Sequence, residues 1–395
     1  MSLDPELKRF ATQRQAEYLD AILRYGSGRK AAKALNVTHS AVEAGVAAVK
    51  RKAALAGYAP ECDMTRRVPD PFVLKGTSTL YGKDGEQKLQ WVKTKLDDDM
   101  WSAAIQEWVQ WLVKDAEGIA KPIKAPQHTN ADLLTAYPMG DPHFGMYSWA
   151  KQTGASYDLD IAEKLHYAAI DRLVDTAPAS DEALILELGD FFHADNNTNM
   201  TPRSGHILDT DTRWERVMQI GLRAMVYIIQ RTLTKHKKVT VRIVKGNHDP
   251  HASFALALGL DAYFRNEPRV TIDLSAREYW YYRFGKCLFG VTHGDKIKQV
   301  QLPLIMAHDV PEFWGETLFR YFYSGHVHSD ELTEHPGCLV ERFRTLASPD
   351  SYAHGAGYRS GRDMKAIVHH REFGEVERHL CNIAMIQHAV QQESK

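Results

Sequence analysis

Five short segments of this sequence combine aspartate, asparagine or histidine with a tight turn, a pattern that suits metal-ion chemistry. The segments are Asp141-Pro-His143, Gly189-Asp190, Gly246-Asn-His-Asp249, His293-Gly294 and Gly325-His-Val-His328. Imidazole and carboxylate donors together favour first-row transition metals, whereas calcium and magnesium prefer oxygen alone. Any one of these histidines would ordinarily be a surface or core residue. Two aspartates, one asparagine and four histidines are too many donors for one tetrahedral ion and fit two ions that share a carboxylate.

A short apolar run precedes each segment, as expected for a buried strand. The runs cover residues 133–137, 183–188, 239–244, 287–292 and 320–324. Open α/β sheets build their sites at the carboxyl ends of strands, so we expect these side chains to meet along one sheet edge. Helices are predicted over 160–175, 211–235 and 253–265, and a closing pair of strands over 364–370 and 375–383.

In this order the five segments resemble the signature blocks of the calcineurin-like metallophosphoesterases, over about residues 130 to 375. The resemblance implies an α/β fold, a four-layer αββα sandwich, and two divalent transition-metal ions. Manganese is the preferred ion, with iron or zinc as alternatives. The implied ligands are Asp141, His143, Asp190 and His328 for the first ion and Asp190, Asn247, His293 and His326 for the second.

The resemblance also implies two catalytic residues beside the ligands. His248 would contact the scissile phosphate and protonate the leaving oxygen, and Asp249 would orient His248. With Asp190 as the bridge, the two ions would hold a hydroxide for in-line attack on phosphorus.

Two further segments contain candidate substrate contacts. The polar loop 193–206 follows Asp190, and long loops in compact domains are often functional. This loop offers Asn196, Asn197 and Arg203, although it could equally be a solvated insertion. The Gly- and Arg-rich segment 348–363 offers Arg359 or Arg362 to a phosphate.

The composition narrows the function classes. The chain has 395 residues and a net charge of −1, so there is no global attraction to nucleic acid or to a membrane. Its four cysteines lack paired spacing, which argues against a disulfide framework or a zinc knuckle. The start resembles no signal peptide and no run of about 18 apolar residues occurs, so we expect a cytoplasmic protein, in the host cell if it is phage-encoded.

The first 59 residues differ from the rest, with ten Lys or Arg against five Asp or Glu. Helices are predicted over 12–25, 29–35 and 40–55, a pattern that resembles a small all-α helix-turn-helix domain and favours DNA binding. Use of these helices for homo-oligomer contacts remains the alternative. The candidate DNA-binding residues are Arg29, Lys30, His39, Ser40, Lys50, Arg51 and Lys52.

Three domains are therefore predicted. Residues 1–59 form the helix-turn-helix, residues 60–129 a linker, a β-hairpin (72–96) and a helix (100–117) packed on the core, and residues 130–395 the dinuclear metallophosphoesterase domain. The helix carries an aromatic stripe that is more typical of core than of base stacking.

A basic helical unit beside a phosphodiesterase centre favours a metal-dependent DNA endo- or exonuclease, similar to the family's repair exonucleases and to phage-encoded proteins. The alternative is a small-molecule (cyclic nucleotide or nucleotide) phosphodiesterase or phosphatase whose N-terminal unit mediates oligomerisation. A DNA-binding regulator with a degenerate metal centre is disfavoured, because all seven ligands and His248 are present.

Overall fold

The computed structural model describes residues 4–59, 64–65, 72–81, 87–96 and 118–393. The chain divides into two compact units, residues 1–108 and 109–395. The predicted helix over 100–117 lies outside the described residues, as does the predicted linker over 60–71 apart from residues 64–65.

The first unit contains three helices, α1 (Gln13–Tyr25), α2 (Gly28–Ala34) and α3 (His39–Leu55). Thr12, Ser27 and Thr38 each cap the helix that follows, because each side-chain oxygen accepts a hydrogen bond from a backbone N–H in the first turn. Asn36, with φ of 52°, reverses the chain between α2 and α3. The predicted helices are therefore present, each within about two residues of its expected bounds.

Two antiparallel strand pairs follow in this unit. β1 (Tyr58–Ala59) pairs with β2 (Met64–Thr65). β3 (Phe72–Tyr81) pairs with β4 (Gln87–Leu96), which is the predicted hairpin.

A six-stranded sheet in the order β15-β14-β5-β6-β7-β8 forms the larger part of the second unit. Its strands β5 to β8 run parallel, and β14 and β15 add to the β5 edge as an antiparallel pair. The bounds are β5 Asn130–Met139, β6 Ser180–Glu187, β7 Lys238–Ile243, β8 Val270–Asp273, β14 Asp363–His370 and β15 Gly374–Asn382.

A five-stranded sheet in the order β12-β13-β11-β10-β9 forms the smaller part. Its strands β10, β11 and β13 are parallel, and β9 and β12 are antiparallel edge strands. The bounds are β9 Trp280–Phe284, β10 Cys287–Val291, β11 Phe319–Ser324, β12 Glu331–His335 and β13 Cys338–Arg342.

One apolar core joins the two sheets, with Leu184 and Leu186 of β6 in the same buried cluster as Phe289 of β10 and Tyr323 of β11. Helices cover the outer faces. The helices of this unit are α4 (Ala150–Thr153), α5 (Leu159–Thr176), α6 (Trp214–Leu233), α7 (Ala252–Phe264), α8 (Leu302–Asp309), α9 (Pro311–Glu316), α10 (Ser351–Gly355) and α11 (Ile383–Glu393). Because α5, α6 and α7 contact the larger sheet and α8 the smaller, the layer order is helix, sheet, sheet, helix, as the resemblance implied.

The expectation that the ligands meet along one sheet edge is wrong. Strands β5, β6 and β7 of the larger sheet and strands β10 and β11 of the smaller sheet precede the five segments. The carboxyl ends of two stacked sheets therefore supply the site together. No helix among the described residues combines the length and the apolar character of a membrane span.

Candidate metal centre

The first group of predicted ligands contains Asp141, His143 and His328, whose donor atoms lie within 4.8 Å of one another. Nε2 of His143 is 3.1 Å from Nε2 of His328, and Nε2 of His328 is 3.6 Å from Oδ1 of Asp141. Asp141 and His143 follow β5, whereas His328 comes from the loop after β11.

The second group contains Asp190, His293 and His326, again with donor atoms within 4.8 Å. Nε2 of His293 is 3.2 Å from Oδ2 of Asp190 and 3.2 Å from Nδ1 of His326. Asn247 joins this group, because its Oδ1 is 3.0 Å from the same His293 nitrogen. All seven predicted ligands thus converge, and the bridging role of Asp190 stays a prediction.

The donor spacing suits coordinated ions. Two imidazole nitrogens bound at about 2.1 Å to one ion, at angles between square and tetrahedral, would be about 3.0–3.4 Å apart. The His143–His328 and His293–His326 pairs lie at 3.1 and 3.2 Å. Buried carboxylates and imidazoles that face one another at this spacing are a donor set for divalent cations of the first transition row.

The ligand backbone adopts an uncommon conformation. Seven non-glycine residues in the described part of the chain have positive φ, and five of them are predicted ligands, namely Asp141, His143, Asp190, His326 and His328. Such backbone costs about 1–3 kcal/mol per residue and persists only where the surroundings hold it. Here the Asp141 carboxylate accepts from the His326 N–H at 2.9 Å, and the His143 N–H donates to the Asp190 carbonyl at 3.0 Å.

Two glycines allow the ligand loops to approach closely. A Cβ on Gly325 would lie 2.5 Å from Oδ2 of Asp141. A Cβ on Gly246 would collide with Oδ1 and the backbone nitrogen of Asp190. Larger residues at either position would displace a ligand.

The charges within the centre compensate each other. Burial alone would raise the pKa of Asp190, but the neighbouring His293 and His248 hold this pKa well below its usual value. Burial opposes the charge on His293, yet Asp190 and Asp141 raise the pKa of His293 well above 6.5. Burial, followed by repulsion from His248 and His328, lowers the pKa of His143 well below 6.5. Divalent cations would replace the proton on His293, so their binding releases protons.

His248 lines the cavity beside the ligands, but Asp249 does not orient it. Nδ1 of His248 lies 2.8 Å from the carbonyl oxygen of His193. The buried Asp249 carboxylate instead accepts from the backbone N–H groups of Phe192 and Gly246, at 2.9 and 3.1 Å. Gly246 and Asp249 are the first and last residues of the same four-residue turn, and the hydrogen bond between them holds the Asp249 carboxylate beneath the loop. Asp249 is therefore a positioning residue for the turn.

His193 belongs to the site although it was not predicted. Its Nδ1 lies 3.2 Å from Nδ1 of His143, and its donor atoms group with those of His143 and His248. Its buried Nε2 has no hydrogen-bond partner among the described residues. Its position three residues after Asp190 is the sequence feature that could have indicated it, whereas the prediction for this loop names Asn196, Asn197 and Arg203.

The two groups open into a cavity of about 840 Å³. The loop after Asp190 supplies Thr201, Ser204 and His206 to its wall, and the segment after β13 supplies Tyr352, Tyr358 and Arg359. Both predicted substrate segments therefore reach the cavity, and Arg359 is the predicted contact that lines it.

The other predicted substrate contacts have different roles. Asn196 closes a turn by accepting from the Thr198 N–H at 2.8 Å. Asn197 bonds Glu215 and the Trp214 N–H, so both asparagines stabilise the loop. Arg362 donates to the Leu346 carbonyl, which commits its guanidinium to the chain. Arg203 is 76 % exposed, lies 3.9 Å from Asp295, and does not line the cavity.

The predicted DNA contacts lie on α2 and α3. Arg29 and Lys30 are exposed in the first turn of α2, and Ser40, Lys50, Arg51 and Lys52 are exposed on α3. His39 is half-buried, with Nδ1 3.5 Å from Glu43. DNA contact by these residues stays a prediction.

Neither a family model nor a curated protein matches the chain. Among solved structures, it is similar to a conserved uncharacterised protein of Streptococcus pneumoniae TIGR4 that is described as a predicted phosphoesterase. The sequence identity is 12 %, the TM-score is 0.27, and the match covers 63 % of this chain and 98 % of that one. It is also similar to a novel archaeal phosphodiesterase, with 13 % identity, a TM-score of 0.31, and coverage of 62 % of this chain and 99 % of that one. A third similar structure is Vps29 of Entamoeba histolytica with bound zinc, with 12 % identity, a TM-score of 0.25, and coverage of 63 % of this chain and 98 % of that one. Similarity at this level defines no activity, so the functional conclusions rest on the geometry of the site.

Proposed function

We propose that this chain is a metal-dependent phosphodiesterase, a hydrolase of ester bonds, and that its substrate is DNA. The observation that carries the proposal is the convergence of all seven predicted donors into two groups, beside a cavity that His248 also lines. Proteins rarely bury this many imidazoles and carboxylates face to face without a cation or a reaction that uses them.

Two divalent ions in these groups, manganese in preference to iron or zinc, would supply an activated water and neutralise phosphate oxygens. The protein's own contribution is to position these donors and to handle a proton. Since Nδ1 of His248 faces a carbonyl oxygen, it keeps its hydrogen, and Nε2 is the atom that exchanges a proton with a leaving oxygen. The His193 carbonyl fixes the imidazole ring in that orientation.

Two features of the first unit support DNA as the substrate. Residues 1–59 carry ten basic and five acidic residues, against a net charge of −1 for the whole chain. In addition, α2 and α3 are joined by a short turn, and exposed basic residues lie on both helices. Such a surface would attract phosphates and hold the substrate near the second unit.

A small-molecule phosphodiesterase or phosphatase is the second candidate, and the cavity favours it. Its volume of about 840 Å³ is within the range of pockets that enclose a nucleotide-sized ligand. In that case the first unit would serve assembly rather than substrate delivery.

The test is hydrolysis of labelled single- and double-stranded DNA, of cyclic nucleotides and of bis(p-nitrophenyl) phosphate, with manganese or with chelator. We expect manganese-dependent cleavage of DNA. Cleavage of cyclic nucleotides without cleavage of DNA would favour the second candidate, and absence of any phosphoester hydrolysis would refute the proposal.

A charge variant tests the role of the first unit. Replacing Lys50, Arg51 and Lys52 by alanine should weaken DNA binding and make it less dependent on salt. The slope of the logarithm of the binding constant against the logarithm of the salt concentration should fall by about 0.9 for each phosphate contact that is lost. The control variant replaces Lys235, Lys237 and Lys238 by alanine. It removes the same positive charge at the start of β7, the end of the strand opposite to the segment Gly246–Asp249. An equal effect of both triple variants would show that the first unit makes no specific contact.

A further inference from the structure

Four exposed aromatic side chains line the cavity of the candidate metal centre and a smaller hollow beside it. Tyr352 and Tyr358 line the main cavity and are 70 % and 59 % exposed. Tyr147 and Trp149, 45 % and 52 % exposed, line a smaller hollow of about 210 Å³. Ser351 lines the smaller hollow and directly precedes Tyr352, so the two spaces adjoin. Four large rings open to solvent at one place indicate a recognition surface.

The backbone that carries Tyr147 and Trp149 is firmly held. The Tyr147 N–H donates to the Asp209 carbonyl at 2.9 Å. The Ser148 N–H donates to the Tyr157 carbonyl at 2.8 Å, and the Tyr157 N–H donates to the Ser148 carbonyl at 3.0 Å. In this extended segment Met146 and Ser148 are buried, whereas Tyr147 and Trp149 are exposed. The alternation places both rings on the outer face.

The segment that carries Tyr352 and Tyr358 is tied to the same frame. Oγ of Ser148 donates to the Pro349 carbonyl at 2.8 Å, and Oγ of Ser348 donates to the Ser156 carbonyl at 3.1 Å. The Tyr358 N–H donates to the Ala353 carbonyl at 3.0 Å. A rigid frame lowers the entropic cost of ordering the aromatic side chains when a ligand binds.

Cations accompany the rings. Arg359 lines the main cavity next to Tyr358, and its Nη1 donates to the His354 and Tyr358 carbonyls at 3.2 and 2.8 Å. Nζ of Lys151 lies 5.7 Å from the centre of the Trp149 ring. Asp350 also lines the cavity, but its carboxylate caps α10 by accepting from the Ala353 N–H at 2.7 Å. Aromatic faces with interleaved cations are the combination that binds single-stranded nucleic acid, because bases stack on the rings while phosphates contact the cations.

We propose that Tyr147, Trp149, Tyr352 and Tyr358 stack with the bases of an unpaired DNA strand that passes from the smaller hollow into the cavity. Bases within an intact duplex already stack on one another and cannot stack on these rings. The substrate of the centre is therefore single-stranded DNA or a frayed end. This inference rests on the proposed function, since continuity with the metal-ligand groups is what identifies the occupant as a nucleic acid.

The test measures binding separately from hydrolysis. Anisotropy of a labelled oligothymidylate, in chelator so that no turnover occurs, gives the affinity of the wild type and of Tyr352→Ala, Tyr358→Ala and Trp149→Ala. We expect each alanine variant to bind about 5- to 150-fold more weakly, the range for loss of one base stack. The phenylalanine variants at the three positions should retain most of the affinity, because stacking needs the ring alone.

Two controls give the test its specificity. An abasic strand of the same length retains the phosphates and lacks bases, so the alanine variants and the wild type should bind it equally weakly. Phe373, 69 % exposed in the turn between β14 and β15, lines neither hollow, and Phe373→Ala should bind as the wild type does.

Alanine variants that bind oligothymidylate as tightly as the wild type, or that lose as much affinity for the abasic strand, would overturn the inference. Hydrolysis of bis(p-nitrophenyl) phosphate by the wild type with manganese is measured in parallel. Loss of the stacking effect with this hydrolysis intact refutes base stacking alone, whereas absence of hydrolysis with the stacking effect intact refutes the proposed function alone.

Discussion

Replacement of His369 by phenylalanine should change how the stability of the second unit depends on pH. His369 is fully buried in β14, with its ring centre 4.8 Å from that of Phe289 and 4.6 Å from that of Tyr321. Its Nε2 lies 3.2 Å from the Tyr323 hydroxyl. Burial, with a smaller effect from Arg378, lowers the pKa of His369 to about 3.

The sign and the size of the effect follow from this pKa. A histidine in the unfolded chain takes up a proton below about pH 6.5, whereas folded His369 stays neutral to about pH 3. Between these values the unfolded state binds more protons, so stability falls as the pH falls. From about pH 7 to about pH 5 the loss due to His369 amounts to about 2 kcal/mol. Phenylalanine fits the aromatic surroundings, gives up about 1 kcal/mol of hydrogen bonding to Tyr323, and has no proton to bind.

The assay is urea unfolding at both pH values, in chelator so that no metal contributes. We expect His369→Phe to be less stable than the wild type at neutral pH and more stable at about pH 5, a change in the difference of about 2 kcal/mol. The exposed His308 provides the matched control, and His308→Phe should follow the wild type at both values. If the free energies of unfolding of the wild type and His369→Phe change with pH in parallel, folded His369 does not have the lowered pKa on which this prediction depends.

Two further predictions concern the centre itself. Gly325→Ala should weaken metal binding by about 10- to 100-fold in calorimetric titration, because its Cβ would press on Asp141. The control is Gly315→Ala, whose Cβ meets no atom within 4 Å and which should leave the metal affinity unchanged. Equal metal affinities of the two variants would contradict the close approach of Gly325 to Asp141. His248→Ala should keep its metal content and lose about 10²- to 10⁴-fold in rate on DNA, with a much smaller loss on a nitrophenyl diester, whose leaving group needs no proton. An equal loss on both substrates would show that His248 does not act as the acid.

The five strands before the ligand segments and the helices over 160–175, 211–235 and 253–265 could be predicted because each depends on local sequence. The set of seven candidate ligands was implied by the resemblance of the ordered segments, and their binding of metal stays a prediction. An apolar run that ends in Gly-Asp or in Gly-Asn-His-Asp defines both the strand and the point where the chain turns. The ordered spacing of five such segments then restricted how they could meet. Arg359, in the loop after the last ligand segment, lines the cavity, and its contact with a phosphate stays a prediction.

The errors concern features that only tertiary structure determines. Whether five strand ends belong to one sheet or to two cannot be read from a strand's own sequence, since buried strands of either sheet have the same apolar pattern. Asp249 follows His248 directly, yet the turn directs its carboxylate to the Phe192 N–H, a residue 57 positions away. His193 reaches the centre because the loop after Asp190 folds over His143, which brings the two Nδ1 atoms to 3.2 Å from each other. The periodicity of the sequence does not indicate this contact.

The proposed reaction requires two metal ions, held by the two groups of donors. The most direct measurement is the manganese, iron and zinc content of the purified protein, taken together with phosphodiester hydrolysis before and after chelation, for the wild type and Asp190→Asn. We predict about two equivalents of metal per chain, hydrolysis that chelator abolishes and added manganese restores, and loss of most of the activity in the variant. A protein that binds no transition metal and hydrolyses phosphodiesters equally well in chelator would exclude a metal-dependent reaction at this centre.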